Sequence, residues 1–136
     1  MRRFLLVAVL ALATVAIAVP VAEAGSPHFV SITASRSANT LTVSGKEAGL
    51  GNETQVHIEV TATAECINNG GKHPKAVNKE SVSAAGDFPV QNGKAEFSLT
   101  LTASFQPDCS PPMTVTFSNV VVRDTAHNVS QRLGTF

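Results

Sequence analysis

The sequence predicts an all-β fold, an antiparallel immunoglobulin-like β-sandwich of about six or seven strands with one disulfide. Short segments alternate apolar and polar residues with the two-residue period of a half-buried strand, and turn-forming residues separate them. Beyond the N-terminal apolar run, no segment has the period of an amphipathic helix. Immunoglobulin domains proper also carry a core tryptophan and a conserved tyrosine, and the chain has neither. The prediction therefore concerns the architecture alone.

The first 24 residues have the three regions of a secretory signal peptide. Arg2 and Arg3 are basic, residues 4–19 form an apolar run of 16 residues, and Ala22-Glu23-Ala24 matches the small-x-small cleavage pattern. A membrane anchor would need about 20 apolar residues. We therefore expect cleavage after Ala24, a single domain over residues 25–136, a secreted or extracellular location, and no membrane span after cleavage.

The expected mature chain is nearly neutral. Removal of Arg2, Arg3 and Glu23 from ten basic and ten acidic residues leaves eight basic and nine acidic side chains in 112 residues. That length is sufficient for one buried core. Because the chain lacks the excess of basic residues typical of nucleic-acid and anionic-membrane binders, neither partner is expected.

The clearest strand covers residues 54–66. Its even-numbered residues from 56 to 64 are apolar, and its odd-numbered residues are polar. Cys66 shares the parity of the apolar face. In an oxidising compartment the two cysteines of the chain predict a disulfide between Cys66 and Cys109. Metal ligation by the two thiolates is the weaker alternative, since no CxxC motif is present.

The preceding residues predict a first pair of strands. Residues 29–35 and 40–44 alternate, and the polar residues 37–39 form a turn between them. The three glycines within residues 45–51 predict a bulge or loop before the long strand.

The Asn92-Gly93 pair predicts a β-hairpin with a two-residue type I′ turn. Closure at this turn pairs Gln91 with Lys94, Val90 with Ala95, and Phe88 with Phe97. Because Pro89 lacks an N–H group, the first arm is expected to be an edge strand or to be interrupted near Gly86.

The C-terminal part predicts two more strands after the proline-rich loop of residues 106–112. Met113, Val115 and Phe117 alternate, whereas Val120 and Val122 shift the phase. This shift predicts a bulge near Ser118-Asn119, and residues 123–136 leave room for one short strand.

Four blocks of the chain resemble a pattern in small secreted microbial proteins of unassigned function. They are Cys66-Ile-Asn-Asn-Gly-Gly71, Asn78-Lys79, Phe88-Pro-Val90 before Asn92-Gly93, and Asn119-Val-Val-Val-Arg-Asp-Thr125. The resemblance covers most of the expected mature chain. It implies a secreted β-sandwich and no particular activity.

The sequence does not favour an enzyme or a cofactor. It contains no Gly-x-Ser-x-Gly motif, and His57 on the polar strand face is expected to be exposed or to form a cross-strand hydrogen bond. Calcium is an ion that secreted β-sandwiches can bind, but the acidic candidates are scattered and no EF-hand loop is present, so no metal is expected. Those candidates are Glu47, Glu53, Asp87, Asp108 and Asp124.

Two functions remain open. The first is a non-catalytic extracellular or envelope-associated binding module that uses the loops next to the disulfide to hold an acidic protein or envelope component. Its candidate binding residues are Asn68, Asn69, Lys72, His73 and Lys75. The second is a small secreted protease inhibitor that presents residues 109–113 in a proline-stiffened loop. Its candidate inhibitory residues are Pro111, Pro112, Met113 and Thr114. The oligomeric state stays open.

Overall fold

The computed structural model describes residues 25–68 and 78–136, so the predicted signal peptide lies outside the described residues. Within these ranges the chain forms seven strands, all with antiparallel neighbours, in the order β1-β2-β5-β4-β3-β6-β7. The end strands β1 and β7 approach each other, so that the sheet is nearly closed. The all-β prediction is confirmed. The strands are β1 (His28–Ser37), β2 (Thr40–Ala48), β3 (Gln55–Ile67), β4 (Lys79–Gln91), β5 (Lys94–Thr102), β6 (Thr114–Asp124) and β7 (Val129–Gly134).

β3 forms the centre of the core. Its even-numbered residues from Val56 to Cys66 are buried, as the alternation of the sequence predicts. β3 pairs with β4 on one side and with β6 on the other. Its apolar face packs with those of β2, β5 and β6, and the largest buried side chains in this layer include Leu41, Leu101 and Phe117.

The β4–β5 hairpin has the predicted turn and the two predicted ladder pairs next to it. Asn92 and Gly93 have φ angles of 54° and 75°, and the ladder joins Gln91 to Lys94 and Val90 to Ala95. The ladder ends there, because β4 pairs with β3 from Pro89 onward. The predicted ladder pair of Phe88 with Phe97 is wrong, because Phe88 pairs with Val56 of β3; the two phenylalanine rings meet only through their side chains, with centroids 6.1 Å apart. Of the two alternatives predicted for the first arm, the interruption near Gly86 is wrong, since β4 continues through it. Residues 79–89 have ladder partners only in β3, as in the edge strand that was the other alternative.

Gly93→Val is expected to lower the free energy of unfolding by more than about 1 kcal/mol, because a β-branched residue is strained at positive φ. A Cβ at Gly93 would lie 3.4 Å from the nearest atom, the Gly51 nitrogen, so the cost comes mainly from the backbone conformation. Urea unfolding measures it. Asn92→Gly is the control, because it preserves the turn and should change stability by less than about 0.5 kcal/mol. Equal stability of Gly93→Val and the wild type would contradict the expectation.

β2 is longer than predicted, since it continues through Gly45 to Ala48 and the loop begins only at Gly49. Gly45 occupies a crowded position. A Cβ there would lie 3.0 Å from the Ile32 side chain and 3.1 Å from the Phe97 ring. Glycine therefore allows β1 and β5 to pack closely around β2. As a result, Glu47 pairs with Ala95 in the ladder and its side chain is fully buried.

The predicted bulge in β6 is confirmed. Asn119 has a φ angle of 52°, and the register with β3 shifts between Thr61 and Thr63. After the bulge, Val120 and Val122 point into the core, and Asp124 follows with the same parity. The bulge therefore places a carboxylate in the protein interior at the end of β6.

The predicted disulfide is also confirmed. Cys66 at the end of β3 is bonded to Cys109 in the loop between β5 and β6, with an S–S distance of 2.02 Å. The bond joins this proline-rich loop to the central strand of the core.

Candidate functional site

The two ends of the sheet differ in chemistry. The disulfide end comprises the β1–β2 turn, the end of β3, and residues 103–113 between β5 and β6. The acidic end comprises the end of β2, the loop of residues 49–54, and the β6–β7 turn. Each end contains a group of side chains that the fold brings together from distant parts of the sequence.

A groove of about 530 Å³ lies at the disulfide end. Its floor is apolar, with the buried ring of Phe105 and the half-buried side chain of Met113. Arg36 and Asp108 line it with exposed charged side chains, and Pro111 is the exposed apolar residue beside them. The groove can therefore accept an amphipathic group.

Hydrogen bonds connect the walls of this groove to the sheet. The Ala103 N–H donates to the Asn39 carbonyl at 2.8 Å, and the Asn39 side-chain amide donates to the Ala103 carbonyl at 3.0 Å. The Ser104 N–H donates to a Glu80 carboxylate oxygen at 2.6 Å. With the disulfide, these bonds connect residues 103–109 to the β1–β2 turn, to the start of β4 and to the end of β3.

The predicted loop residues can be located only in part. Asn68 is exposed at the end of β3, whereas Asn69, Lys72, His73 and Lys75 lie outside the described residues. Pro111, Pro112 and Thr114 are exposed. Met113 is half-buried, and its sulfur lies 3.8 Å from the Cys66 sulfur. A disulfide sulfur has no proton to donate, so this is a packing contact. Met113 therefore forms part of the groove floor.

At the acidic end, two fully buried carboxyl groups meet a histidine. Glu47 comes from β2 and Asp124 from β6, and His127 lies in the turn after β6. One ligand-type atom from each of the three residues lies within 4.8 Å of the other two. His127 Nδ1 is 2.5 Å from Asp124 Oδ2, and its Nε2 is 2.8 Å from a Glu53 carboxylate oxygen.

The local sequence of the turn explains the position of His127. The His127 backbone N–H donates to Asp124 Oδ1 at 3.2 Å, an Asx-type contact three residues along the chain. The same carboxylate uses its other oxygen for the imidazole. Asp124 therefore fixes both the backbone turn and the ring of His127.

The electrostatics of this cluster shift two pKa values. Burial raises the pKa of Glu47 to about 8, and a hydrogen bond that its protonated form can donate to Asp124, with the negative charge of that carboxylate, adds to the effect. For His127, burial lowers the pKa, but hydrogen bonds to Asp124 and Glu53 outweigh burial and raise it above the ordinary value. Near neutral pH the cluster therefore favours a protonated Glu47, and it shifts His127 toward its imidazolium form.

The structure separates the acidic residues that the sequence suggested as oxygen donors. Glu47, Glu53 and Asp124 come together, whereas Asp108 lies at the disulfide end. Asp87 lies apart on the exposed face of β4, where it contacts His57 at 2.7 Å. The prediction of a cross-strand hydrogen bond for His57 is therefore confirmed. The sequence analysis did not identify His127 as part of a site. The burial of its partner Asp124 could have been inferred, because Asp124 has the same parity as the buried Val122.

Comparison with protein-family models, with curated proteins and with solved structures finds no match to this chain. No helix in residues 25–68 or 78–136 has the length and apolar character of a membrane span.

Proposed function

We propose that this chain is a secreted, non-catalytic binding module that holds an extracellular protein or envelope component in the groove at the disulfide end. The observation that carries the proposal is a preformed amphipathic groove with walls connected by a disulfide and by hydrogen bonds. The signal-peptide pattern and the disulfide, which persists in oxidising compartments, support secretion.

The rigidity of the groove favours binding over a merely structural role. Association costs about 0.5–1.5 kcal/mol for each flexible side chain that becomes ordered. Phe105, Met113 and Asn39 are already held by packing or by hydrogen bonds. A ligand therefore loses less free energy to ordering here than on a mobile loop.

The charges of the groove define the class of ligand. Neither Arg36 nor Asp108 has an ion-pair partner among the described residues, so both are open to a ligand. Lys72, His73 and Lys75, the binding residues expected from the sequence, lie outside the described residues. Arg36 can pair with a carboxylate, so a peptide that carries a carboxylate next to an apolar side chain matches both this charge and the apolar floor.

Selection of random peptides displayed on phage against the purified protein tests this function. Arg36→Glu is expected to weaken binding of the selected peptides at least about tenfold, because one attraction becomes a repulsion. The matched control is Arg132→Glu on β7, an exposed arginine that does not line the groove and should leave affinity unchanged. The affinity of the wild type should also fall with added salt. Equal effects of the two variants, or no selected peptide, would refute the groove as the binding site.

We also propose that the nearly closed sheet corresponds to the two layers of an immunoglobulin-like β-sandwich. The β4–β5 ladder covers only two residue pairs, and beyond it Phe88 and Phe97 face each other through their side chains. A Cβ at Gly86 of β4 would lie 3.6 Å from the Leu99 side chain of β5. Two strands that share a few ladder pairs and then contact each other only through side chains are typical of opposite layers of a sandwich. Hydrogen exchange of backbone amides tests the two-layer arrangement. The β5 amides that face residues 79–88 of β4 should exchange without the protection that hydrogen bonds to β4 would give.

The protease-inhibitor function has less support in this geometry. An inhibitory loop presents its recognition side chain to the protease, whereas Met113 is half-buried and contacts the disulfide. Its N–H donates to the Ser110 carbonyl at 2.9 Å, which makes the segment a turn. Titration against subtilisin-like and trypsin-like proteases distinguishes the two functions, and inhibition at micromolar concentration would favour the inhibitor.

A further inference from the structure

We propose that Glu47, Asp124 and His127 form a binding site for a divalent metal ion of the zinc class at the acidic end. This site is independent of the groove at the disulfide end. It uses two carboxylates and one imidazole from β2, β6 and the turn after β6, and their candidate ligand atoms lie within 4.8 Å of one another. Ligands at about 2.0–2.2 Å from one zinc ion are about 3.4 Å apart in a tetrahedron. On binding, the 2.5 Å contact between His127 and Asp124 would therefore lengthen, and any pair of ligand atoms near the 4.8 Å limit would shorten.

The unpartnered side chain of Glu47 points independently to a ligand. Glu47 is fully buried, and in its carboxylate form neither oxygen has a hydrogen-bond donor in the described part of the chain; only the protonated form can donate to Asp124. A buried polar group without a partner is costly, and such a group calls for a specific explanation. A cation between Glu47 and Asp124 would satisfy both oxygens and remove the repulsion between the two carboxylates.

The ligand set favours zinc over calcium. Ca²⁺ takes six to eight oxygen ligands, whereas this cluster offers two buried carboxylates and an imidazole nitrogen. Zn²⁺ accepts mixed nitrogen and oxygen ligands and is commonly four-coordinate. Three protein ligands would leave one position for water.

Glu53 acts as the orienting partner of the histidine. His127 directs Nδ1 toward Asp124 and Nε2 toward Glu53, at 2.8 Å. A carboxylate on the far nitrogen of a ligating imidazole fixes the tautomer and increases the basicity of the ligand. Glu53 and His127 also line a surface groove of about 710 Å³, so the histidine of the cluster can be reached from solvent.

Metal titration of the full-length mature protein tests the site. After dialysis against EDTA, calorimetric titration with ZnCl₂ at pH 7.5 is expected to show one saturable site and a rise in melting temperature. Glu47→Gln and His127→Gln should each weaken zinc binding at least about tenfold. The matched control is His57→Gln, which removes an imidazole from an exposed histidine–carboxylate pair and should leave binding unchanged.

Cobalt and calcium titrations complete the test. Co²⁺ absorption reports the coordination directly, so a variant with altered stability still gives an interpretable result. A visible band with the intensity of four-coordinate Co²⁺ in the wild type, lost in Glu47→Gln, supports the site. Zinc binding that survives Glu47→Gln, calcium binding tighter than zinc binding, or no saturable binding of any of these ions would each overturn it.

Discussion

Removal of the Cys66–Cys109 disulfide is expected to lower the free energy of unfolding by about 4 kcal/mol. In the chain-entropy model the bond restricts the unfolded chain according to the length of the loop it closes, and a loop of this size corresponds to about that value. The two cysteines are 43 positions apart in sequence. Because small domains have total stabilities of about 5–15 kcal/mol, the protein without the bond should be marginally stable. Urea unfolding of a Cys66→Ala/Cys109→Ala double variant measures the loss.

Two comparisons separate the entropic effect from a packing effect. Reduced wild-type protein has the same side-chain carbon atoms as the oxidised form, so it isolates the bond itself. The Ala variant also loses the buried Cys66 sulfur, which contacts Met113, and should be less stable than the reduced protein. A loss below about 1 kcal/mol on reduction would contradict the expectation and would mean that the unfolded chain gains little freedom.

The Cys66→Ala/Cys109→Ala variant also tests the proposed binding groove. Cys109, Asp108 and Met113 all line the groove, and the bond joins their loop to β3. Without it, the loop must be ordered when a ligand binds, which adds an entropic cost. We therefore expect weaker binding of the selected peptides at temperatures where the variant remains folded.

The parts of the fold that the sequence predicted correctly depend on short-range patterns. The parity of residues 56–66 predicted the buried face of β3, and Asn92-Gly93 predicted a turn with two positive φ angles. The phase shift after Phe117 predicted the β6 bulge. In each case the signal lies within about ten residues, where strand periodicity and turn chemistry determine the structure.

The incorrect predictions concern residues whose conformation depends on tertiary contacts. Gly45 suggested a loop, but in the fold it makes room for Ile32 and Phe97 next to β2. The parity of Leu41 and Val43 continues through Gly45 to Glu47, so the burial of Glu47 could have been inferred if the strand had been extended. Composition alone does not distinguish a glycine in a turn from a glycine under an aromatic ring.

The two candidate sites depend on strand order, which sequence patterns did not provide. The groove combines Arg36 and Asn39 of the first strand pair with Asp108 and Met113 from the loop after β5. The acidic cluster combines the ends of β2 and β6, which are more than seventy residues apart in the chain. The sequence offered five acidic residues as oxygen donors, and only the fold shows which three of them meet.

The metal-free protein is expected to lose stability as the pH rises from about 5 to about 9. Glu47 has an ordinary pKa of 4.5, which the fold raises to about 8. Between these values the folded state retains a proton that the unfolded state has released, so the free energy of unfolding decreases with pH. The raised pKa of His127 acts in the same direction, since its contribution is present below the unfolded pKa and disappears above the folded one.

The expected size of this loss is several kcal/mol. One pKa unit corresponds to 1.36 kcal/mol, so the shift of the fully buried Glu47 corresponds to about 5 kcal/mol across the whole interval. The groups around Glu47 that titrate or carry charge are Asp124 of β6, His127 of the turn and Glu53 of the loop. Urea unfolding in EDTA at a series of pH values gives the slope directly.

Glu47→Gln tests whether this residue is the source of the pH dependence. The amide is neutral at every pH and can still donate a hydrogen bond to Asp124, so the variant should be more stable than the wild type at pH 9 and should have a flatter profile. The matched control is Glu96→Gln, the same chemical change at an exposed carboxylate that pairs with Lys46. If the free energy of unfolding of Glu47→Gln falls with pH as steeply as that of Glu96→Gln, the expectation is contradicted. Ionisation of Glu47 would then not be the cause of the pH dependence.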